Sequence, residues 1–264
     1  MKLRTIMNWL EELSPLQYAE EWDNVGLLLG DENQEIRHIM IALDASDYVI
    51  EQAVEQKVDL LLTHHPMIFR AVKQINNQSM VGRRIWKLAS HQISYYAMHT
   101  NFDVKGGMAE LAAERIGLQE TVPLDITSPE GANPEGIGRI GTIAESITVK
   151  SLAGIVKDKF GLKNVTVYGD LQRRVQKIAI CPGSGKSEID NALRANAEVL
   201  ITGDIGHHEG IDAVDMGLEI IDATHYGLEH IFIEFMEGYL KECAGESAGL
   251  QITCLDTGSP VTVL

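Results

Sequence analysis

The sequence predicts an α/β protein built from two related lobes, each with a largely parallel or mixed sheet. Short apolar runs of strand length alternate with segments of helical periodicity, which is typical of β-α-β units. Residues 38–65 align without a gap on residues 177–204. A stretch rich in proline and glycine, residues 121–138, lies between the two copies and is the predicted boundary. We therefore expect a first lobe over residues 1–124 and a second over residues 125–264.

The elements are predicted in order from the spacing of apolar residues. Strands are short apolar runs, and helices place apolar residues three and four positions apart. In the first lobe we expect a helix over Lys2–Leu13, a strand over Ile39–Leu43, a helix over Asp47–Gln56, a strand over Asp59–Thr63, a helix over Val81–Ala89 and a strand over Ile93–Met98. In the second lobe we expect a strand over Gly141–Glu145, a helix over Val149–Phe160 and a strand over Asn164–Tyr168.

The gapless alignment indicates an internal duplication. Its apolar positions coincide, Thr63 falls on Thr202, and Asp59 meets Glu198. Chance similarity is the alternative, because any two strand–helix–strand units share apolar periodicity. The unbroken register and the threonine at both strand ends favour duplication.

Each copy also places a histidine and a carboxylate just beyond a strand-like run. His99 and Asp103 follow ISYYAM, and His225 and Glu229 follow EIIDAT with the same spacing. Ligands of open α/β sheets gather at the carboxyl ends of the strands. The pattern therefore predicts a binding site at these strand ends.

Two adjacent histidines, His64 and His65, close another apolar strand. With Asp103, His225 and Glu229 they offer three imidazole nitrogens and two carboxylates, a donor set that suits Zn, Fe or Mn. Five ligands are many for one ion but suit two ions that share a carboxylate, so the set predicts two divalent metal ions per chain. The alternative is that these side chains are ordinary strand-cap and turn groups.

The two copies are chemically unequal, because Gly203-Asp204 stands where the first copy has His64-His65. We therefore expect one dinuclear metal site in the cleft between the lobes rather than two separate sites. His99 and His208 are candidates for proton transfer beside the ligands. For His208, simple exposure at the start of a helix is an equal alternative.

Two glycine-rich segments partly match the sequence motifs of nucleotide-binding loops, but each departs from its motif in sequence or in structural context. Residues 136–141, GIGRIG, lead into a strand instead of following one, and residues 182–187, PGSGKS, lack the first glycine of a phosphate loop. We predict a turn and strand edge for the first and a plain strand-to-helix turn for the second. Cofactor binding by the first and anion binding by the second are the alternatives.

Composition and charge exclude several classes of protein. The chain has 22 basic and 38 acidic residues, a net charge of −16, which disfavours nucleic acid and membrane surfaces as partners. No apolar run approaches the roughly 18 residues of a membrane span. Glu11 and Glu12 stand where a signal peptide needs its apolar core, and the three cysteines show no CxxC spacing. We expect a cytoplasmic protein.

Five motifs together resemble the NGG-one-interacting-factor-three-like family over nearly the whole chain. They are EEWDNVGLLLGD (Glu20–Asp31), LLLTHHPMIF (Leu60–Phe69), MHTNFD (Met98–Asp103), LITGDIGHHEGIDA (Leu200–Ala213) and DATHYGLE (Asp222–Glu229). The resemblance implies a dinuclear metal centre whose ligands fall on His64, His65, Asp103, His225 and Glu229. It also implies a toroidal homohexamer.

Bacterial members of this family are known as GTP cyclohydrolase I type 2 homologues. The resemblance therefore implies a metal-dependent hydrolase acting on a small molecule, with GTP as the nucleotide substrate and formate as a product of opening the guanine imidazole ring. A metal-dependent phosphoester hydrolase would use the same centre. A non-catalytic scaffold that binds metal or a partner is the alternative from another class.

Overall fold

Helices and strands alternate along the chain. Every predicted element is present with small shifts at its ends, except that the strand predicted over Gly141–Glu145 is much longer and spans Glu135–Thr148. Numbered along the chain, the helices are α1 (Leu3–Leu13), α2 (Asp47–Glu55), α3 (Met80–Ser90), α4 (Thr100–Val104), α5 (Met108–Arg115), α6 (Val149–Lys159), α7 (Ile189–Arg194), α8 (His207–Asp215), α9 (His225–Glu229) and α10 (Ile231–Ala244). The strands are β1 (Gly26–Leu29), β2 (His38–Ala42), β3 (Leu60–Thr63), β4 (Ser94–Ala97), β5 (Gln119–Ser128), β6 (Glu135–Thr148), β7 (Thr166–Tyr168), β8 (Arg174–Ser184), β9 (Val199–Gly203), β10 (Glu219–Asp222) and β11 (Gln251–Cys254).

The computed structural model describes residues 1–128, 134–245 and 249–263. The chain forms two compact units. Unit 1 comprises Met1–Lys105 and Phe232–Thr257, and unit 2 comprises Gly106–Ile231 and Gly258–Leu264. No helix within the described ranges is long and apolar enough to cross a membrane.

Hydroxyl caps fix where several helices begin. The Ser46 side chain accepts a hydrogen bond from the backbone of Val49 at 3.3 Å and so caps α2. Ser79 does the same for α3, accepting from Gly82 at 3.0 Å. A cap satisfies backbone N–H groups that have no partner inside the helix, and its loss typically costs about 1 kcal/mol.

Unit 1 is built on a sheet with the strand order β1-β4-β3-β2-β11. β4, β3, β2 and β11 run parallel to one another, whereas the edge strand β1 is antiparallel to β4. β2, β3 and β4 are buried along their whole length, which explains why they appear in the sequence as continuous apolar runs. Met40, Leu61 and Tyr95 of these strands pack with Val49 of α2 and Leu88 of α3 in one core.

Unit 2 is built on a mixed sheet with the strand order β5-β6-β8-β9-β10-β7. β8, β9 and β10 are parallel, and the remaining pairs are antiparallel. Ala179, Leu200 and Ile220 of the parallel strands pack with Ala192 of α7 and Ala213 of α8. Residues 136–141 lie inside β6, which pairs with β5 on one side and β8 on the other, so the predicted turn and strand edge is wrong for this segment. Residues 182–184 end β8 before a short 3-10 turn, which agrees with the predicted strand-to-helix turn.

The internal duplication is confirmed residue by residue. Ile39 pairs with Leu60 between β2 and β3, and their counterparts 139 positions later, Ile178 and Val199, pair between β8 and β9. The aligned acids make the same hydrogen bonds: Asp59 accepts from the backbone of Arg37 and His38, and Glu198 accepts from the backbone of Gln176 and Lys177. Such matching backbone contacts do not follow from apolar periodicity alone.

The predicted match of His99 with His225 is displaced by one residue. Ala97, the last residue of β4, occupies the same sheet position as Asp222, the last residue of β10. The helices that follow begin at Thr100 and at His225. His225 is therefore the counterpart of Thr100, because the shared H-x-x-x-acid spacing starts one residue later in unit 2.

The division into units differs from the predicted lobes. Residues 121–138 do not separate the units, because residues 121–128 belong to β5 and 135–138 to β6, which pair as antiparallel neighbours inside unit 2. The units divide after Lys105 instead. Phe232–Thr257 belongs to unit 1, because β11 extends the sheet beside β2.

Candidate metal centre

His64 and His65 directly follow β3, and a set of hydroxyl contacts fixes the turn they make. The His65 carbonyl accepts hydrogen bonds from Thr63 Oγ1 at 2.9 Å and from the Tyr95 hydroxyl at 3.0 Å. The backbone of Met67 donates to the same Tyr95 oxygen at 2.7 Å. Burial raises the pKa of Tyr95 to about 12, so its hydroxyl stays protonated and can donate to His65.

The N-terminus of α4 holds His99 and Asp103 near this turn. Asp23 accepts hydrogen bonds from the Thr100 backbone at 3.0 Å and from the Thr100 hydroxyl at 2.5 Å. It also accepts from His99 Nδ1 at 3.0 Å. Burial would raise the pKa of Asp23, but the hydrogen bond and charge of His99 and the hydrogen bonds from Thr100 outweigh it and lower the pKa to about 2. Asp23 is therefore ionised and fixes the start of this helix.

Three histidines of unit 1 meet in one cluster, which we call the histidine cluster. His64, His65 and His99 each bring a ring nitrogen within 4.8 Å of the others. His64 Nε2 also lies 3.7 Å from Asp103 Oδ1. The sequence predicted His64, His65 and Asp103 as neighbours, and the structure brings His99 into the same group.

In unit 2, α9 brings His225 and Glu229 together. His225 Nε2 lies 2.9 Å from Glu229 Oε2, one helical turn apart. The Glu229 side chain is 4% exposed, whereas that of His225 is 35% exposed. Thr224 caps this helix, because its hydroxyl accepts from the Gly227 backbone at 3.1 Å. A carboxylate this deeply buried needs a compensating positive partner.

Glycines in unit 2 make the space that α9 requires. Gly203, the counterpart of His64, could not hold a side chain, because an added Cβ would lie 2.4 Å from the His225 backbone nitrogen. Gly183, the counterpart of Asp44, has φ +77°, and a Cβ there would lie 2.5 Å from Glu229 Oε1. Glycine thus replaces His64 and Asp44 of the first copy, and in the second copy the backbone of His225 and the side chain of Glu229 occupy the space left by the missing side chains.

Each of the four histidines presents Nδ1 to an oxygen acceptor. The Nδ1 atom of His64 contacts the Met98 carbonyl at 2.7 Å, and that of His65 contacts Asp44 at 2.8 Å. His225 Nδ1 contacts Asp204 at 2.7 Å, and His99 Nδ1 contacts Asp23 as described above. A carbonyl or ionised carboxylate can only accept, so Nδ1 carries a proton. Nε2 is the nitrogen that faces the other candidate ligands, Asp103 in the case of His64 and Glu229 in the case of His225.

This tautomer is the one that metal-binding histidines use, with the second ring nitrogen donating to a carboxylate or carbonyl. The donor set also fits a divalent ion. Ligands about 2.0–2.2 Å from one tetrahedral ion lie roughly 3.4 Å apart, and the 2.9 Å between His225 Nε2 and Glu229 Oε2 needs to open only slightly to reach this separation. The residues present can therefore bind a metal.

Sequence reasoning missed the carboxylates behind the histidines. Asp44 follows β2 and Asp23 lies in the EEWDN motif, far in sequence from the histidines they contact. Asp204 was noted only as the counterpart of His65. His208 is exposed at the start of α8, and its ring packs on His207 with centroids 5.2 Å apart. A role for His208 in proton transfer stays a prediction.

These features define a class: an α/β protein with a duplicated βαβαβ core and clustered histidine and carboxylate side chains that could bind metal. The chain belongs to the Duf34/NIF3 (NGG1p interacting factor 3) family, whose model matches residues 1–260.

Relatives from other organisms are similar over most of their length. The chain is 38% identical to a "GTP cyclohydrolase 1 type 2 homolog" of Clostridium perfringens, covering 87% of each chain. Among solved structures, reduced HcgD from Methanocaldococcus jannaschii is 32% identical with a TM-score of 0.81, covering 97% of this chain and 98% of that one. Staphylococcus aureus protein SA1388 is 27% identical with a TM-score of 0.88, covering 100% and 99%.

Proposed function

We propose that this protein is a dinuclear metal-dependent hydrolase. In this proposal the metal ligands are His64, His65, Asp103, His225 and Glu229, and they hold two divalent ions of Zn, Fe or Mn per chain. The relatives named GTP cyclohydrolase 1 type 2 homolog support a hydrolase, and the side-chain chemistry supports a metal.

The observation that carries the proposal is the clustering of candidate ligand atoms, with carboxylates behind the rings. His64, His65 and His99 bring ring nitrogens within 4.8 Å of one another, and His225 Nε2 lies 2.9 Å from Glu229. An Nδ1 contact with a carbonyl does not distinguish ligands, because His38, His91 and His230 also make one. The carboxylates of Asp44 and Asp204 behind His65 and His225 are the contacts typical of metal-binding histidines, and with the clustering they favour metal binding over a structural role.

Two bound divalent ions would lower the pKa of a bound water and polarise the substrate at neutral pH. The chain's own residues would orient the ligands and handle protons. Asp44 and Asp204 hold the imidazoles of His65 and His225 in one orientation. His99, held by Asp23 next to the other histidines, is the residue we propose for proton transfer.

For the substrate we propose GTP, and the names of the relatives support it. The reaction would open the imidazole ring of guanine: one water adds at C8 and breaks the ring, and a second releases C8 as formate. The test is product analysis after incubating metal-loaded protein with GTP. We expect formate that requires the metal, and no formate after treatment with a chelator.

The outcomes separate the classes of function. Phosphate without formate would replace the cyclohydrolase with a phosphoester hydrolase. If neither product forms from GTP or from a panel of other nucleotides, the hydrolase proposal fails and the scaffold replaces it. His65→Ala, which removes a proposed ligand, should abolish formate release. His91→Ala is the matched control, because His91 is exposed at the end of α3.

Two wider expectations belong to the same proposal. The family resemblance supports a ring of six chains, and the net charge of −16 would help to keep such a ring in solution. The few cysteines, without CxxC spacing, favour work in the cytoplasm.

A further inference from the structure

Two exposed aromatic rings of unit 1 lie against the histidine cluster. The ring centroids of Trp22 and Phe69 are 5.7 Å apart, and they lie 6.1 and 6.5 Å from the ring centroid of His99. Trp22 is 58% exposed and Phe69 is 45% exposed. Large aromatic rings gain free energy when buried, so their exposure beside a candidate site needs an explanation.

Hydrogen bonds tie together the chain segments that carry the two rings. Asp23, next to Trp22, is fixed by its contacts with His99 and Thr100. Asn24 donates from its side chain to the Ile68 carbonyl at 2.5 Å, which links the segment of Trp22 to the segment of Phe69. The segments of both exposed rings are therefore anchored beside His99.

Phe69 also lines a cavity of about 690 Å³ in the loop that follows the histidines. Other lining residues are Arg70 and Lys73, which are exposed cations, and the amides Asn76 and Gln78. Across the described ranges of the chain, neither Arg70 nor Lys73 forms an ion pair. Ligand cavities of small molecules typically measure about 300–1,000 Å³.

We propose that this cavity binds the substrate of the metal centre, and that the substrate is an organic phosphate with a flat aromatic ring. The ring packs against Trp22 and Phe69, and the phosphate binds Arg70 and Lys73. This inference rests on the proposed function, because it places the ring next to His99. It adds four binding residues and assigns the ring and the phosphate of the substrate to separate pairs of them.

Charge and shape favour this ligand over an apolar one. In a chain with net charge −16, two lining cations that form no ion pair with the residues the structure describes create a local site for an anion. The aromatic pair offers flat faces on which a heterocycle can stack, and such stacking tolerates different bases. An organic phosphate with a planar aromatic ring would use both the cations and the aromatic pair.

The test is calorimetric titration of the full-length protein with GMP, guanosine and inorganic phosphate, before and after treatment with a chelator. We expect GMP to bind more tightly than the other two, with or without metal. R70Q/K73Q should weaken GMP binding at least about tenfold and leave guanosine unchanged, because only charge-assisted bonds are lost. Trp22→Leu should weaken GMP and guanosine alike.

Matched controls remove the same groups elsewhere. K159Q/K163Q removes two exposed lysines of unit 2, and Trp86→Leu removes a tryptophan that is 65% exposed on α3. Both should bind GMP within about twofold of the wild type. Equal GMP affinity in wild type and R70Q/K73Q, or no GMP binding by the wild type, overturns the proposal.

Metal analysis of the same variants separates the two proposals. R70Q/K73Q should keep the metal content of the wild type, because neither residue is a proposed ligand. Protein that holds metal but binds GMP equally in all variants refutes the cavity and leaves the hydrolase. Protein that takes up no metal even after reloading, yet binds GMP through these residues, refutes the hydrolase and leaves the cavity.

Discussion

Gly183→Ala tests whether the space opened by glycine in unit 2 serves Glu229. The new Cβ would lie 2.5 Å from Glu229 Oε1, closer than any stable contact. The obstructing atom is the end of a side chain, so Glu229 can rotate away without moving the backbone. We therefore expect the substitution to displace the carboxylate rather than to unfold the unit.

The cost in stability follows from the backbone. Gly183 has φ +77°, where a residue with a Cβ costs roughly 1–2 kcal/mol. Gly217 has φ +92° and no atom within 4 Å of an added Cβ, so Gly217→Ala carries the same kind of strain without the clash. Both variants should lose about 1–2 kcal/mol of unfolding free energy.

Metal binding should distinguish the two variants. Displacing Glu229 should weaken metal affinity by about 10–100-fold in Gly183→Ala, the range typical of a disturbed ligand environment. Gly217→Ala should match the wild type. Competition with a chromophoric chelator measures the affinity, and urea unfolding measures the stability. Equal metal affinity in both alanine variants would refute the role we assign to Gly183 and Glu229.

Two further predictions follow from the geometry, and a third follows from the family resemblance. Because the pKa of Asp23 is lowered, its ionised carboxylate stabilises the fold at pH values above the ordinary pKa of 3.8, and this stabilisation is lost as the pH falls through about 2. Between about pH 5 and pH 2, the unfolding free energy measured in urea should fall by about 2 kcal/mol more in the wild type than in Asp23→Asn. Equal losses would contradict the assignment. Asp44→Asn and Asp204→Asn should each weaken the metal affinity measured by chelator competition about tenfold or more, because each removes the carboxylate that contacts Nδ1 of a proposed histidine ligand. Unchanged affinity in both variants would show that these carboxylates do not support metal binding. Light scattering should give a mass near six times the 29.1 kDa chain, and a monomer at micromolar concentration would refute the ring.

The duplicated core could be predicted because its signals are local in the sequence. β3 is a four-residue apolar run buried on both faces, and α2 has an apolar stripe and a serine cap. The gapless alignment then fixed the strand register, because each strand–helix–strand unit has the same length in both copies. Strands β1 and β11 were not predicted, since their pairing depends on residues distant in sequence.

The candidate ligands could be predicted, but their supporting contacts could not. His64 and His65 stand out because they end an apolar strand. Asp23 lies 76 positions from His99, and nothing in the local pattern connects them. The one-residue error between His99 and His225 arose because equal spacing in two motifs does not require equal positions on the sheet.

The number of metal ions bound per chain tests the central claim most directly. Protein reloaded with Zn, Fe or Mn and freed of excess ion should contain two ions per chain by elemental analysis. Glu229→Gln, confirmed to be folded, should hold fewer. Wild-type protein that binds well under one ion per chain after reloading with each metal would contradict the account.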